Sequence, residues 1–280
     1  MKRFRSLAAI GAVAALTLSA CSNSDDSSSD ATTGSSDGVT KIIVGASPVP
    51  HAQILQFVED NLAADAGIDI EIKEYQDYVL PNTALQAGEI QANFFQHIPY
   101  YEEAVAENDF TFDRGEGVHI EPYGVYSNTI DDLADLPDGA KVAITNDPSN
   151  QARALELLQV NDLLTLDEVD NPTIYDLEEN PKNLEFVEAE APAVPKLLPD
   201  VDIAIINGNF ALQNDLVPSK DAIYLEKGEG NPYSNILAWN TESDPEVIEA
   251  VQTLDGLLHS QEVADFITKT WPDGEVIPAF

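Results

Sequence analysis

The sequence predicts an α/β fold of mostly parallel sheets flanked by helices, and three observations predict it. First, an apolar strand at Lys41 to Ala46 is followed by a helix with Ile54, Leu55, Val58 and Leu62 on one face. A strand then alternates Ile68, Ile70 and Ile72 with Asp69, Glu71 and Lys73. Second, the same kind of pattern restarts at Lys141 to Thr145, after an irregular stretch from Phe110 to Asn128 that carries Gly115, Gly117 and Gly124. Third, 280 residues with 44% hydrophobic content suffice for one large domain or two ordinary ones. Strand-helix alternation builds sheets covered by helices, with ligands at the carboxyl ends of the strands.

The elements follow in order. Ser47-Pro48-Val49-Pro50-His51 is a turn at a strand end. From Gln76 to Glu103 the chain packs Tyr78, Phe94, Phe95, His97, Tyr100 and Tyr101 around one short helix. Pro81 opens that helix, where a missing N–H costs nothing, and Gly88 ends it in a left-handed turn. Ala92 to Phe95 reads as a buried strand, Gln96-His97-Ile98-Pro99 as a loop, and Pro99 as the start of the next helix. Aromatics beside amides and a histidine make a pocket wall; equally, Phe94 and Phe95 fit a packed core.

A crossover is expected near Pro122-Tyr123-Gly124. Asp147 then suits an N-cap and Pro148 the first helical position, with Ala154, Leu157 and Leu158 on the buried face. Asn150 and Arg153 share one side of this helix, near its positive end. Arg153 there is either a carboxylate clamp or the partner of Glu156. Val201 to Ile206 is a strand followed by Asn207-Gly208-Asn209, whose amides point into a cleft or cap a helix. Ala222 to Leu225 is extended, Glu226 to Tyr233 is loop, and Asn235 to Trp239 is a returning strand. Ser243-Asp244-Pro245-Glu246 reads as a capping box before two closing helices.

The N-terminus has a separate logic. Lys2, Arg3 and Arg5 precede an apolar run from Leu7 to Leu18, too short for a spanning helix, and Leu18-Ser19-Ala20-Cys21 ends it. Residues 1–20 are thus a signal peptide. Cys21, the single cysteine, resembles the acylated first residue of a bacterial lipoprotein, held to the membrane by palmitate-class chains. Residues 21–39, rich in Ser, Asp, Thr and Gly, are expected to be a disordered tether.

With 13 Lys+Arg against 50 Asp+Glu, the formal net charge is -37. Nucleic acid is excluded as a partner, because phosphate binding needs a basic footprint, and repulsion favours a soluble monomer. There is no phosphate-binding glycine loop, nucleophile elbow or His-Glu-x-x-His motif. No two of His51, His97, His119 and His259 share metal-ligand spacing on one element, although His51 and His97 could meet in space with a carboxylate. No enzyme, metal or cofactor is expected.

Several motifs together carry a resemblance. They are Val44 to His51; the stretch ending Phe94-Phe95-Gln96-His97-Ile98-Pro99-Tyr100; Asn146-Asp147-Pro148-Ser149-Asn150-Gln151-Ala152-Arg153; Asn180 to Leu184; Ile206 to Asn209; and Asn231-Pro232-Tyr233-Ser234-Asn235. In this order they resemble the methionine-binding lipoproteins of the NlpA/MetQ family, substrate-binding proteins of ABC importers. The resemblance implies a two-lobed periplasmic-binding-protein fold, type II-like, with the cleft between lobes. Lobe one would comprise 40–123 and 231–280, and lobe two 124–230. It also implies that Tyr78, Phe94, Phe95, His97 and Tyr100 line a thioether pocket, that Arg153 holds the carboxylate with Asn150 beside it, and that Asn207 and Asn235 complete the contacts. The implied ligand is L-methionine, with D-methionine as a second form; another amino acid or a methionine-containing dipeptide is the alternative. A metal-binding lipoprotein and a surface enzyme are the remoter ones. The implied partners are an ABC permease and its ATPase, with the protein lipid-anchored on the extracytoplasmic membrane face. Ala152 departs from the glycine frequent in this family and adds a methyl group beside Arg153.

Overall fold

A computed structural model describes residues 38–280. The signal peptide, Cys21 and the tether up to residue 37 lie outside the described residues. No helix among the described residues is long and apolar enough to cross a membrane.

Two sheets organise the chain. In the first, the strand Thr40–Ala46 lies between Ile68–Glu74 and Ala92–His97 and is parallel to both. Ser234–Asn240 then runs antiparallel beside Ala92–His97, and Phe112–Arg114, His119–Ile120 and Ile277–Pro278 extend that edge. The second sheet places Lys141–Thr145 parallel to Glu185–Ala189 and Ile203–Ile206. Gly124–Tyr126 and Ala222–Leu225 add antiparallel strands. Each sheet is therefore mixed, with a parallel group that turns antiparallel on the side where the chain passes to the other sheet. That passage runs through Glu121–Tyr123 and back through residues 226–233.

Period-two alternation sorts the strand residues to two faces. Ile42, Val44 and Leu237 pack against Ile54, Leu55 and Val58 and against Val251, Leu254, Val263 and Ile267 of the two closing helices. Ile43, Ile236 and Ala238 point the other way, onto Leu85, Tyr101 and Phe112. Both faces are covered, so these strands read as near-continuous apolar runs. In the second lobe Val142, Ile144, Ile203 and Ile205 pack on Leu155 and Leu158, while Ala143, Ala204 and Ile206 face Val194 and Phe210.

Local signals act largely as expected. Gly88 adopts the left-handed conformation just beyond the helix Leu80–Gln86. The Asp147 carboxylate accepts the Asn150 N–H at the start of Pro148–Val160. The capping box is a correction: Pro245–Leu258 starts one residue late for it, and Asp244 at the N-cap makes no side-chain bond. The strand Ala92–His97 also runs two residues further than expected, because Ser234–Asn240 pairs with it as far as His97.

Candidate functional site

A narrow cavity of about 330 Å³, mouth included, lies between the two sheets. Its first-lobe wall is Tyr78, Phe95, Gln96, His97, Tyr100, Glu121 and Asn235; its second-lobe wall is Asn150, Arg153, Asn207, Gly208 and Asn209. Eight of the nine sequence-predicted binding residues line this space; Phe94 does not.

Phe94 and Phe95 are adjacent in the strand and point to opposite faces. Leu237 pairs with Phe94 and Ile236 with Gln96, which leaves Phe95 as the extra residue of a bulge. The bulge adjusts the aim of Phe95 beyond what alternation sets. Phe95 turns to the cavity, where its ring meets Tyr78 at 5.9 Å and Tyr100 at 6.1 Å between centroids. Phe94 belongs to the first-lobe core and packs edge-on against His51 and His119. Its expected place in the pocket is thereby corrected.

The aromatic end is held by polar bonds. The Tyr78 hydroxyl donates to Asn209 Oδ1 at 2.6 Å, joining the lobes, and the Tyr100 hydroxyl donates to the Tyr78 carbonyl at 3.0 Å. Phe210 supports the Tyr78 ring from the second lobe at 5.0 Å. Below it, Asn82, Asn93 and Gln96 bond to one another and tie the helix Leu80–Gln86 to the strand.

His97 stands between the two ends. Its Nδ1 accepts the Tyr100 N–H at 3.1 Å, so its Nε2 carries the proton and donates to Asn150 Oδ1 at 3.1 Å. Burial, with Arg153 beside it, lowers its pKa to about 3. Asn150 lines the cavity but its amide is committed: Oδ1 also accepts from Asn207 Nδ2 at 2.7 Å, and Nδ2 donates to Asp147 at 2.8 Å. It orients Asn207 and lines the cavity together with Arg153. Asn207 Oδ1 and Asn209 Nδ2 are buried and have no partner.

Arg153 is 4% exposed. Its partner is not Glu156, which accepts instead from the Tyr233 hydroxyl. Glu226 takes it side-on, Nε to Oε1 at 3.1 Å and Nη2 to Oε2, and Nη2 also donates to the Glu121 carbonyl at 3.0 Å. The rings of Tyr123 and Tyr233 lie 4.9 and 4.3 Å from the guanidinium carbon. Desolvation opposes the charge, but the Glu226 carboxylate outweighs it and the arginine pKa is raised.

His51 and His97 do not form a pair. His51 instead joins His119 and Glu121, with one potential ligand atom from each lying within 4.8 Å of the others. His119 Nε2 meets Glu121 Oε1 at 2.9 Å, and His51 Nε2 lies 3.4 Å from the same oxygen and 3.0 Å from Asn235 Oδ1. Burial lowers the His51 and His119 pKa values to about 4 and about 3, and it raises that of Glu121. Neither Nδ1 has a partner, whereas a metal-ligating histidine needs an acceptor on its second nitrogen. The cluster is better built to cradle a carboxylate between neutral N–H donors and to fix Asn235 with its Nδ2 free.

A family model for the NlpA lipoproteins matches residues 42–280. The chain belongs to the NlpA lipoprotein family. Within it, the chain is similar to the methionine-binding lipoprotein MetQ of Bacillus subtilis, 42% identical over 252 residues, covering 88% of this chain and 90% of that one. Among solved structures, a nutrient-binding protein from Burkholderia cenocepacia bound to methionine shares 38% identity at a TM-score of 0.78, covering 85% of this chain and 100% of the other. A periplasmic substrate-binding protein of an ABC transporter from Coxiella burnetii is 36% identical at a TM-score of 0.78, with the same coverage. The two-lobed substrate-binding fold of the NlpA neighbours is the architecture of this chain.

Sequence reasoning did not single out Gln96, Glu121, Gly208, Asn209 or Glu226. Gly208 and Asn209 sit inside a motif already noted. Nothing local marks Glu121 or Glu226 among 50 acidic residues.

Proposed function

We propose that this lipoprotein captures methionine outside the cytoplasm and delivers it to an ABC importer, held to the membrane by acyl chains on Cys21. One observation carries the reading. The cavity between the lobes has an aromatic end, Tyr78, Phe95 and Tyr100, and a polar end whose unused groups are of both kinds. A thioether packs favourably on aromatic edges. At the other end Arg153 Nη1 and Asn235 Nδ2 would donate to the carboxylate. Asn207 Oδ1 and the Glu121 carboxylate would receive the ammonium. The remaining polar groups are amides and neutral imidazoles tied to one another, which suits binding rather than bond breaking. Closure would bury the ligand and present one joined surface to a permease.

Calorimetric titration of the full-length chain in detergent, with methionine and a panel of other amino acids, tests this. Saturable binding of methionine ahead of leucine and alanine is expected; no heat with methionine at millimolar concentration overturns it. Cys21→Ser should abolish fatty-acid labelling and membrane retention, and retention of either removes the proposed anchor.

A further inference from the structure

The two polar contacts offered to an amino-acid ligand differ in charge. At the carboxylate end the only cation is Arg153, and Glu226 already covers it through Nε and Nη2. A side-on pair of this kind cancels most of the field that a second carboxylate would feel. Only Nη1 is left without a hydrogen-bond partner among the described residues, so a ligand meets a single donor and not a charged fork.

At the ammonium end the situation is reversed. Glu121 lines the cavity and is 6% exposed. Its Oε1 accepts from the neutral His119 ring, while His51, 3.4 Å away and also neutral, spends its Nε2 on Asn235, so no cation balances it from that side. Asn207, also 6% exposed, lines the same cavity with an unpartnered Oδ1, an acceptor that only a donor can satisfy. The site thus holds one cation against two carboxylates, inside a chain of formal charge -37. A buried carboxylate that shares its one nearby cation, Arg153, with Glu226, and an orphaned acceptor, reward a positive group more than a neutralised guanidinium rewards a negative one.

We propose that the site selects its ligand by a free α-ammonium and tolerates loss of the α-carboxylate charge. Its ligand class is then α-amines bearing a thioether side chain, with amino-acid amides and esters included and N-acylated amino acids excluded. This rests on the methionine reading above. A carboxamide oxygen can still accept from Arg153 Nη1 and Asn235 Nδ2, whereas an acylated nitrogen has no charge and a single N–H, too few donors for both Glu121 and Asn207.

The test is calorimetric titration of the full-length protein with methionine, methioninamide and N-acetylmethionine, at about pH 6 so that the amines are protonated. Methioninamide should bind within about tenfold of methionine and N-acetylmethionine at least ~100-fold more weakly. Tight N-acetylmethionine, or loss of methioninamide to the same degree, overturns the inference while leaving methionine binding in place. Failure of methionine itself overturns the functional reading and this inference with it. Glu226→Gln supplies a second arm, since it frees the guanidinium charge. The affinity of N-acetylmethionine relative to methioninamide should rise about tenfold or more, and an unchanged ratio counts against the proposal. Should that variant fail to fold, the three-ligand series on the parent decides alone.

Discussion

Gly208→Ala separates lobe closure from lobe stability. Gly208 opens the helix Gly208–Gln213 on the second-lobe wall of the cavity. A Cβ there would sit 2.7 Å from the Cβ of Glu121 and 3.2 Å from its Oε2. Both partner atoms belong to the segment that leaves the first sheet, and the Glu121 carboxylate is bonded to His119 and packed 3.4 Å from His51. Glu121 cannot swing away without breaking those contacts, so the two walls must separate by several tenths of an ångström. Overpacking of this kind costs about 1–3 kcal/mol, or roughly 5- to 150-fold in methionine affinity. Within its own lobe the substitution is benign: the position is helical, and removing glycine's unfolded-state freedom contributes about 0.4–1 kcal/mol of stability. Titration calorimetry and a thermal melt of the ligand-free protein read the two effects apart. The expected result is weaker binding with an unchanged or slightly higher melting temperature. Unchanged affinity would show that the walls do not need to meet here, and a lower melting temperature would show that the contact serves the fold.

The adjacent phenylalanines should behave in opposite ways. Phe94→Ala removes a fully buried core ring and should cost about 3–5 kcal/mol, a fall in melting temperature on the order of 10 °C. Phe95→Ala, at a buried ring that lines the cavity, should lower the melt by less than Phe94→Ala and weaken methionine about tenfold more than alanine, and matching profiles for the two variants would contradict the placement of Phe95 in the cavity wall. Glu103 sets a pH dependence. Burial first, then Glu107 and Asp147 across the cleft, raise its pKa to about 7. A raised carboxyl pKa makes the native state favour the protonated form. That stability is present below the unfolded value of about 4.5 and is lost as pH rises through about 7. Discounted for partial exposure, the loss is about 1–2 kcal/mol. The melting temperature of Glu103→Gln should therefore pull ahead of the parent's by ~2–8 °C between pH 4.5 and 7 and then run parallel; a constant gap would remove the assignment.

How far the sequence revealed this arrangement depended on the range of each cause. Alternation and helical periodicity are local, so the strands at Thr40–Ala46, Lys141–Thr145 and Ile203–Ile206 and the long helices were legible from spacing. So were Asp147 as a cap and Gly88 as a stop. The cavity residues were legible mainly through motif resemblance. What stayed hidden was pairing at a distance. Arg153 and Glu156 are three apart and suit one helix face, yet the arginine reaches a carboxylate 73 residues away. Alternation sends Phe94 and Phe95 to opposite faces, but which of the two faces a cavity is decided only by the second-lobe residues that come to lie opposite Phe95. Glu121 is one acid among many until two histidines from different elements close on it.

Arg153 shows why single deletions would mislead at this site. Its guanidinium bonds to the Glu121 carbonyl and Glu226 carboxylate and lies between the Tyr123 and Tyr233 rings. These four groups come from the two segments by which the chain passes between the sheets. Removing the side chain would leave Glu226 partly buried and uncompensated, strip two aromatic contacts and loosen both crossings at once, in addition to deleting a proposed donor to the ligand. Breaking a buried pair from one side costs about 3–5 kcal/mol by itself, enough to account for lost binding with no ligand contact at all. Loss of affinity in Arg153→Ala therefore cannot distinguish a carboxylate receptor from a rivet between the crossings. Changing the charge on the ligand can, because it leaves every one of those protein contacts in place.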